Sequence, residues 1–313
     1  MVIFPFALRP VFGKLSENKQ EPPLHVNHDF WEILDGVLVI NMDASTGRME
    51  RFRALHEGVI PPEKLHRISA VVGRELPGYG VPPWFTENTG DRSRFWGGTA
   101  GCALSHRKAI EYAREHAWRN VLILEDDVRL VPAAESLCLV ARALQELQGR
   151  YMLYLGYNRP NPCGFKVLKG EGCDVWRVSG VLATHAYIVP AASYDLILGI
   201  LPTEENVWEW LSVYKAVDVM YREYVAVQPG VKIYALYPMV GKQSDEFSEI
   251  GQNSADGEAM SCSRPPDGAY SLKGFLRFVC PWIGRWKSRL NSIRTHRRAL
   301  RGGLPGYRKK KKQ

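Results

Sequence analysis

Apolar residues fall into short continuous runs separated by stretches of helical period. Val37-Leu38-Val39-Ile40 is unbroken and mostly β-branched, the pattern of a strand buried on both faces. It stops at Asn41-Met42-Asp43, where Ser45 or Thr46 can cap a helix reaching about Glu57. LHRISAVV (65–72) predicts a second strand. Residues 101–117 predict a helix with Leu104, Ala109, Ile110, Tyr112 and Ala113 on its apolar side. VLILEDDV (121–128) predicts a buried strand ending in three carboxylates, and a helix over 132–148 opens on Pro132. Strands are expected at 151–157, 181–190 and 231–238, and helices at 191–200 and 204–224. Strands alternating with helices predict an α/β layer architecture around a mostly parallel sheet. Residues 1–35 show no sustained period and read as an irregular lead-in. The stretch 73–99, rich in Gly and Pro, is long enough to suggest a functional segment or a lid.

Length and composition narrow the class. A chain of 313 residues allows one large domain or two small ones. No apolar run approaches the roughly 18–20 residues of a membrane-spanning helix. The opening MVIFPFALRP lacks the basic flank and the cleavage site of a secretory signal, so none is expected. The six cysteines form no CxxC pair, which argues against a zinc cluster or a disulfide framework and for a reducing compartment. Cys163 and Cys173, flanking a Gly-rich hairpin, read as incidental.

Charge divides the chain. Residues 264–313 carry 15 of the 41 basic side chains and one of the 33 acidic ones, a charge of +14 that leaves −6 on the rest. Within this tail Leu272, Phe275, Leu276, Val279, Ile283, Trp286, Leu290 and Ile293 recur at three- and four-residue steps among Lys and Arg. That is a basic amphipathic stretch, with Pro281 expected to kink it and Trp282 and Trp286 suited to a headgroup boundary. The run Arg308–Lys312 adds five charges, each worth about 1 kcal/mol near an anionic leaflet. An anionic membrane surface is the leading partner, and the alternative is a helix packed on the body with a solvated tail. No DNA- or RNA-binding motif accompanies the charge, so nucleic acid is not expected. The resulting divisions are a lead-in (1–35), a body (36–263) and a basic tail (264–313).

The three carboxylates Glu125, Asp126 and Asp127 repel one another, and at the end of a buried strand they call for a cation or full hydration. The carboxyl ends of strands are where open α/β sheets bind ligands. Strand alternation would put Glu125 and Asp127 on one face, where hard oxygen ligands suit Mg2+ or Mn2+ shared with phosphate oxygens. Such an ion would stabilise a departing nucleotide diphosphate. The competing reading is an acidic turn capping the helix that follows.

The blocks GCALSHRKAIEYA (101–113) and NVLILEDDV (120–128) together resemble the bacterial glycosyltransferase family 25, lipopolysaccharide sugar transferases related to collagen galactosyltransferases. VLVINMDASTGRMERF (37–52) is similar to that family's opening. THAYIVPAASYDLIL (184–198), AVDVMYREY (216–224) and IYALYPMVGKQSDEFSEI (233–250) match its later blocks in order. The resemblance covers about residues 36–250 and rests on the order and spacing of the blocks. It implies a GT-A type nucleotide-sugar-binding fold, a UDP-sugar donor and inversion at the anomeric carbon. Two positions depart from the pattern: the usual Arg-Arg reads Arg48-Met49, and the usual Ser-Asp-Ile reads Ser248-Glu249-Ile250.

On that resemblance Asn41, Arg48, Ser105, His106, Glu125, Asp126 and Gln243 are the candidate donor-binding residues. Asp127, Glu125 and His185 are the candidate metal ligands for Mn2+ or Mg2+. Asp218 is the candidate base, with Asp245 and Glu249 behind it. Each has a plainer alternative: Arg48 as an exposed helix-start arginine, His106 and His185 as hydrogen-bonded core histidines, Asp218 as a helix-surface acid. The expected activity is transfer of a hexose, galactose first, from a UDP-sugar to a hydroxyl of a surface glycan or glycolipid such as lipopolysaccharide core. The expected location is the cytoplasmic face of the inner membrane. The rival activities are a protein-hydroxyl galactosyltransferase and a silent glycan-binding or membrane scaffold.

Overall fold

A computed structural model describes residues 28–158, 163–243 and 280–306 of the chain. The chain enters through a short helix α1 (His28–Ile33), inside what reads from sequence as an irregular lead-in, and reaches β1 (Gly36–Asn41). Then follow α2 (Thr46–Leu55), β2 (Leu65–Ser69), α3 (Ser93–Glu115), β3 (Asn120–Glu125), β4 (Val128–Leu130) and α4 (Ala134–Glu146). The middle of the chain is nearly all strand: β5 (Arg150–Asn158), β6 (Gly164–Lys169), β7 (Asp174–Val178) and β8 (Leu182–Pro190). It continues through α5 (Ala191–Leu198), α6 (Val207–Tyr214), α7 (Val217–Met220), β9 (Val231–Tyr237), β10 (Gly241–Gln243) and α8 (Pro281–Gly302).

Eight strands form one sheet in the order β2-β1-β3-β8-β5-β9-β7-β6. Six run in one direction, and β8 and β7 run against them, so the sheet is mostly parallel with two reversed strands. β4 and β10 make a separate antiparallel pair.

The apolar runs divide between two cores with a period of two. Val37 and Val39 of β1, with Leu122 and Leu124 of β3, pack with Phe30, Phe52, Val140 and Leu144 from α1, α2 and α4. Leu38, Ile40, Val121 and Ile123 face the other way, onto Ile110, Ile197, Leu211 and Met220 from α3 and α5–α7. Successive side chains of a strand point to opposite faces, so an unbroken apolar run is what a strand between two helical layers requires. Each fully buried side chain of this size is worth roughly 1.5–3 kcal/mol of burial.

Three expectations change. The helix expected over 204–224 is broken: Lys215 adopts φ +71 after α6, and α7 passes into a wide turn closed by Ala226 N–H on the Tyr221 carbonyl at 2.9 Å. α3 begins at Ser93, inside the segment read as irregular, because Gly97 and Gly98 suppress its periodic signal; Gly97 is buried, and a Cβ there would meet the Arg74 side chain. Pro281 does not kink a helix; it stands at the first turn of α8, where its missing N–H costs nothing.

α8 lies on the body. Ser288 Oγ donates to the Glu223 carbonyl at 2.9 Å, Ser292 and Tyr224 share a 2.7 Å bond, and Ser212 meets His296 at 2.8 Å. Past its end Leu304 is fully buried, and its N–H reaches the Trp84 carbonyl at 2.6 Å. The basic tail, read from sequence as separate, is thus docked over 281–306. Trp282 and Trp286 nevertheless stay 60% and 65% exposed.

Candidate active site

β3 ends at Glu125, and Asp126-Asp127 turn the chain into β4. The alternation expected to align Glu125 with Asp127 therefore stops one residue early, and the three carboxylates take different partners. Asp126 accepts from Asn41 Nδ2 at 2.7 Å and pairs with Arg48 at 2.7 Å. Asp127 lies 3.8 Å from the same guanidinium and accepts from Gln243 Nε2 at 3.4 Å. Glu125 accepts from the Thr184 hydroxyl at 2.8 Å and sits 3.5 Å from His106 Nε2.

Their acidities diverge accordingly. Burial pushes Glu125 up, but the His106 bond and charge, the His185 charge and the Thr184 hydroxyl outweigh it and hold its pKa below the ordinary value. Burial also raises Asp127, and there Glu125 and Asp126 add to it; against the pull of Arg48 the carboxyl is pushed up to about 7.

The end of β1 supplies the other half of the site. Asn41 is buried with its amide fully used: Nδ2 also donates to the Ser45 carbonyl at 3.1 Å, and Oδ1 accepts from Arg67 Nε at 2.9 Å. Arg67 reaches on to Asp43, which also accepts from Ser69 at 2.7 Å. Sequence reading missed Arg67; the parallel register pairing Val39 with Arg67 brings it there, and no local motif marks it.

α3 closes the opposite side. Gly97, Gly101 and Ser105 stand four residues apart on one stripe, against the segment that follows β2. A Cβ on Gly101 would run into the Val71 carbonyl and come 2.9 Å from the Gly73 nitrogen, so backbone lies on backbone here. Ser105 accepts from Val71 N–H at 2.8 Å and donates to the Gly101 carbonyl at 2.6 Å. Expected as a donor contact, it lines the cleft with its hydroxyl already spent on the wall. The result is an open cleft of about 150 Å³, walled by Arg48, Arg74, Cys102, His106 and the triplet.

His106 is buried, with Nδ1 2.8 Å from the Tyr187 hydroxyl, a partner that sequence reading also missed. His185 is buried too; its Nε2 lies 3.3 Å from the Gly241 carbonyl, and its Nδ1 has no hydrogen-bond partner among the described residues. Burial lowers its pKa, against the Glu125 charge. Asp218 is half-buried and accepts backbone N–H groups from Ala183 at 3.3 Å and Val219 at 2.7 Å. It does not line the cleft, but its charge, with those of Glu125 and Asp127, bears on the Cys102 thiol that does. Gln243, expected on a loop, ends β10 and links Asp127 to Asn158, whose Nδ2 donates to it at 3.1 Å. Asp245, Ser248 and Glu249 lie outside the described residues. No disulfide joins any of the five described cysteines.

Among the described residues no group of three or more His, Cys, Asp or Glu side chains is arranged to hold a metal ion. What is present fits a narrower case. Mg2+ keeps several waters and takes one or two carboxylates plus substrate phosphates, and Mn2+ accepts the same hard oxygen donors. Asp127, with Glu125 near enough to raise its pKa, offers such a partial shell.

No family model matches the chain, and no curated protein matches it. Among solved structures it is similar to the A197 protein from STIV, with 12% identity, a TM-score of 0.36, and coverage of 67% of this chain and 85% of that one. It is similar also to a mannose-1-phosphate geranyltransferase from Thermus thermophilus, at 11% identity and TM-score 0.34, covering 64% of this chain and 73% of that one. A glycosyltransferase involved in glycosylating the major capsid of PBCV-1 follows at 11% identity and TM-score 0.30, covering 63% and 80%.

Proposed function

We propose that the chain is an inverting glycosyltransferase that moves a hexose, galactose first, from a UDP-sugar to a hydroxyl of a surface glycan or glycolipid. One observation carries the reading. At the carboxyl ends of two neighbouring parallel strands, Asn41 and Arg48 meet an acidic triplet in an open cleft. A ligand site at that end of an α/β sheet is the expected place for a nucleotide. The block resemblance to glycosyltransferase family 25 falls on these same residues.

In the proposed reaction the acceptor hydroxyl oxygen bonds to the anomeric carbon from the face opposite the nucleotide. The bond from that carbon to the diphosphate oxygen breaks, and its electron pair leaves with UDP. Asp218, outside the cleft lining but near enough for its charge to bear on the Cys102 thiol in the wall, is the proposed acceptor of the hydroxyl proton. Arg48, and Arg74 at the rim, are the cations available to the diphosphate. Asp127, with Glu125, would hold a Mn2+ or Mg2+ whose charge stabilises the leaving group. His185, with one ring nitrogen unpartnered among the described residues, is the remaining candidate ligand. No described helix is long and apolar enough to cross a membrane, and the proposed location is peripheral, on the cytoplasmic face, through the exposed tryptophans and basic charge of the C-terminal region.

The test is a UDP titration with and without Mn2+, followed by donor hydrolysis over UDP-galactose, UDP-glucose and their N-acetyl analogues. Metal-dependent UDP binding and turnover of one hexose donor are expected. A chain that binds no UDP under either condition is not this enzyme.

A further inference from the structure

A second groove, of about 760 Å³, opens between α8 and the α6–α7 region. Its origin lies in how α8 docks. The helix meets the body through Ser288, Ser292, His296 and Ala299, which are small or polar. Its larger apolar side chains are therefore left over. Ile283, Trp286 and Leu290, at three- and four-residue spacing, line the groove and face Val213, Tyr214 and Val219.

The rim is cationic. Lys287 and Arg294, seven residues apart on one stripe of α8, stand over the groove with Lys215 from the body. Among the described residues none of the three has an acidic partner. Glu223, the acid in the lining, is paired with Arg222 at 2.9 Å. Lys215 caps the C-terminus of α6 at φ +71, with its N–H on the Leu211 carbonyl at 3.0 Å, which fixes its backbone beside the groove. Trp286 at the mouth is 65% exposed, and an indole with one apolar end and one wet end suits a headgroup boundary.

We propose that this groove seats an anionic phospholipid, with its chain along the apolar floor and its phosphate among Lys215, Lys287 and Arg294. The site lies apart from the cleft. It rests on the membrane part of the functional reading and replaces diffuse attraction by a defined seat.

The test is co-sedimentation of the full chain with vesicles of equal parts phosphatidylglycerol and phosphatidylcholine, against pure phosphatidylcholine. Lys287→Glu and Arg294→Glu are each expected to weaken binding to the anionic vesicles by about tenfold or more. Arg289→Glu makes the same charge change two positions from Lys287, at an exposed site outside the groove. Outside the seat and screened by salt, it should weaken binding by less than about threefold. Leu290→Gln should abolish the part of the binding that survives raised salt, since that part is chain burial. A thermal melt on each variant confirms that the fold is intact. Equal losses for Lys287→Glu and Arg289→Glu would mean that charge alone acts, and would overturn the seat while leaving the membrane reading in place. A wild-type chain that ignores anionic vesicles overturns both.

Discussion

Asn41 donates from its side-chain nitrogen to the Asp126 carboxylate over 2.7 Å, although 85 positions separate them. The parallel register explains the meeting. Ile40 lies beside Glu125, so the residue after each strand partner falls next to the other at the same sheet edge. With Arg48 on the second carboxylate oxygen, Asp126 is held from two sides. Asp127 stands 3.8 Å from that guanidinium, and burial, with the Glu125 and Asp126 charges, pushes its carboxyl up to about 7.

Asp127→Asn should therefore separate stability from binding. The folded carboxyl titrates near 7 against 3.8 for the free side chain, so between these values the folded state holds the extra proton. Stability from this group is full below about pH 4 and is lost as pH rises through about 7. In metal-free buffer near pH 8 the variant should be more stable than wild type by about 1–3 kcal/mol, read by denaturant unfolding. Metal-dependent UDP affinity should vanish in the same protein. A variant that is destabilised and still binds UDP would make the triplet a structural cap.

Asp218→Asn should lower turnover by about 10²–10⁴-fold and leave UDP affinity unchanged. The amide can keep one backbone N–H partner but accepts no proton. Steady-state kinetics with a saturating donor decide this, and near-wild-type turnover would move the base elsewhere.

Gly101→Ala tests the cleft wall. The added methyl meets the Val71 carbonyl and the Gly73 nitrogen, and neither backbone atom can rotate away. Overpacking of this kind costs about 1–3 kcal/mol. Because the displaced segment lines the cleft, UDP affinity should fall with stability. Gly47→Ala, in the first turn of α2 where a Cβ meets nothing within 4 Å, is the control and should leave the melt unchanged or raise it slightly.

The parts legible in the sequence are those with short-range causes. The runs at 37–40 and 121–124 announce doubly buried strands because neither face can tolerate a polar residue. Asn41, Arg48 and the triplet stand at the ends of those strands, so their neighbourhood follows once the strands are found. Arg67, Thr184 and Tyr187 were not legible, since each enters by register with a strand far away in the chain. β6 and β7 carry Lys, Asp, Trp and Arg at a sheet edge, where one-sided exposure blurs the apolar pattern. The break at Lys215 leaves no mark, because a lysine gives no hint of left-handed backbone. The docking of α8 was hidden for the opposite reason: its contact face is Ser, Ser, His and Ala, while its conspicuous apolar residues face a groove.

His56 links α2 to the strand after the triplet. Leu130 N–H donates to its Nε2 at 3.0 Å, so the ring proton sits on Nδ1, which donates to the Phe52 carbonyl at 2.7 Å. Burial lowers its pKa from 6.5. The unfolded chain therefore takes up a proton first, and stability is full above about 6.5 and falls as pH drops toward the folded value. His56→Leu should cost about 1–3 kcal/mol at neutral pH, since the Leu130 N–H loses its acceptor. The wild-type decline in stability toward about pH 5.5 should be shallower in the variant, as urea midpoints at the two pH values would show.

Removing the chain beyond position 280 should destabilise the body rather than release it. Leu304 is fully buried, and the carbonyls of Gly302, Leu304 and Pro305 accept side-chain bonds from Thr86, Thr89 and Trp96 at 2.8, 2.8 and 3.1 Å. These three donors belong to the Gly-rich segment and the start of α3, the same helix whose next turns wall the cleft. Leu304→Ala leaves the helix in place and removes only the anchor. A fully buried leucine cut to alanine costs about 2–5 kcal/mol, which for a domain of this size lowers the melting temperature by about 5–15 degrees. The truncated chain should fall further, and its UDP affinity should weaken as the start of α3 loosens. A truncated protein that melts with the full-length chain would show that α8 is an appendage, and that the cleft is held without it.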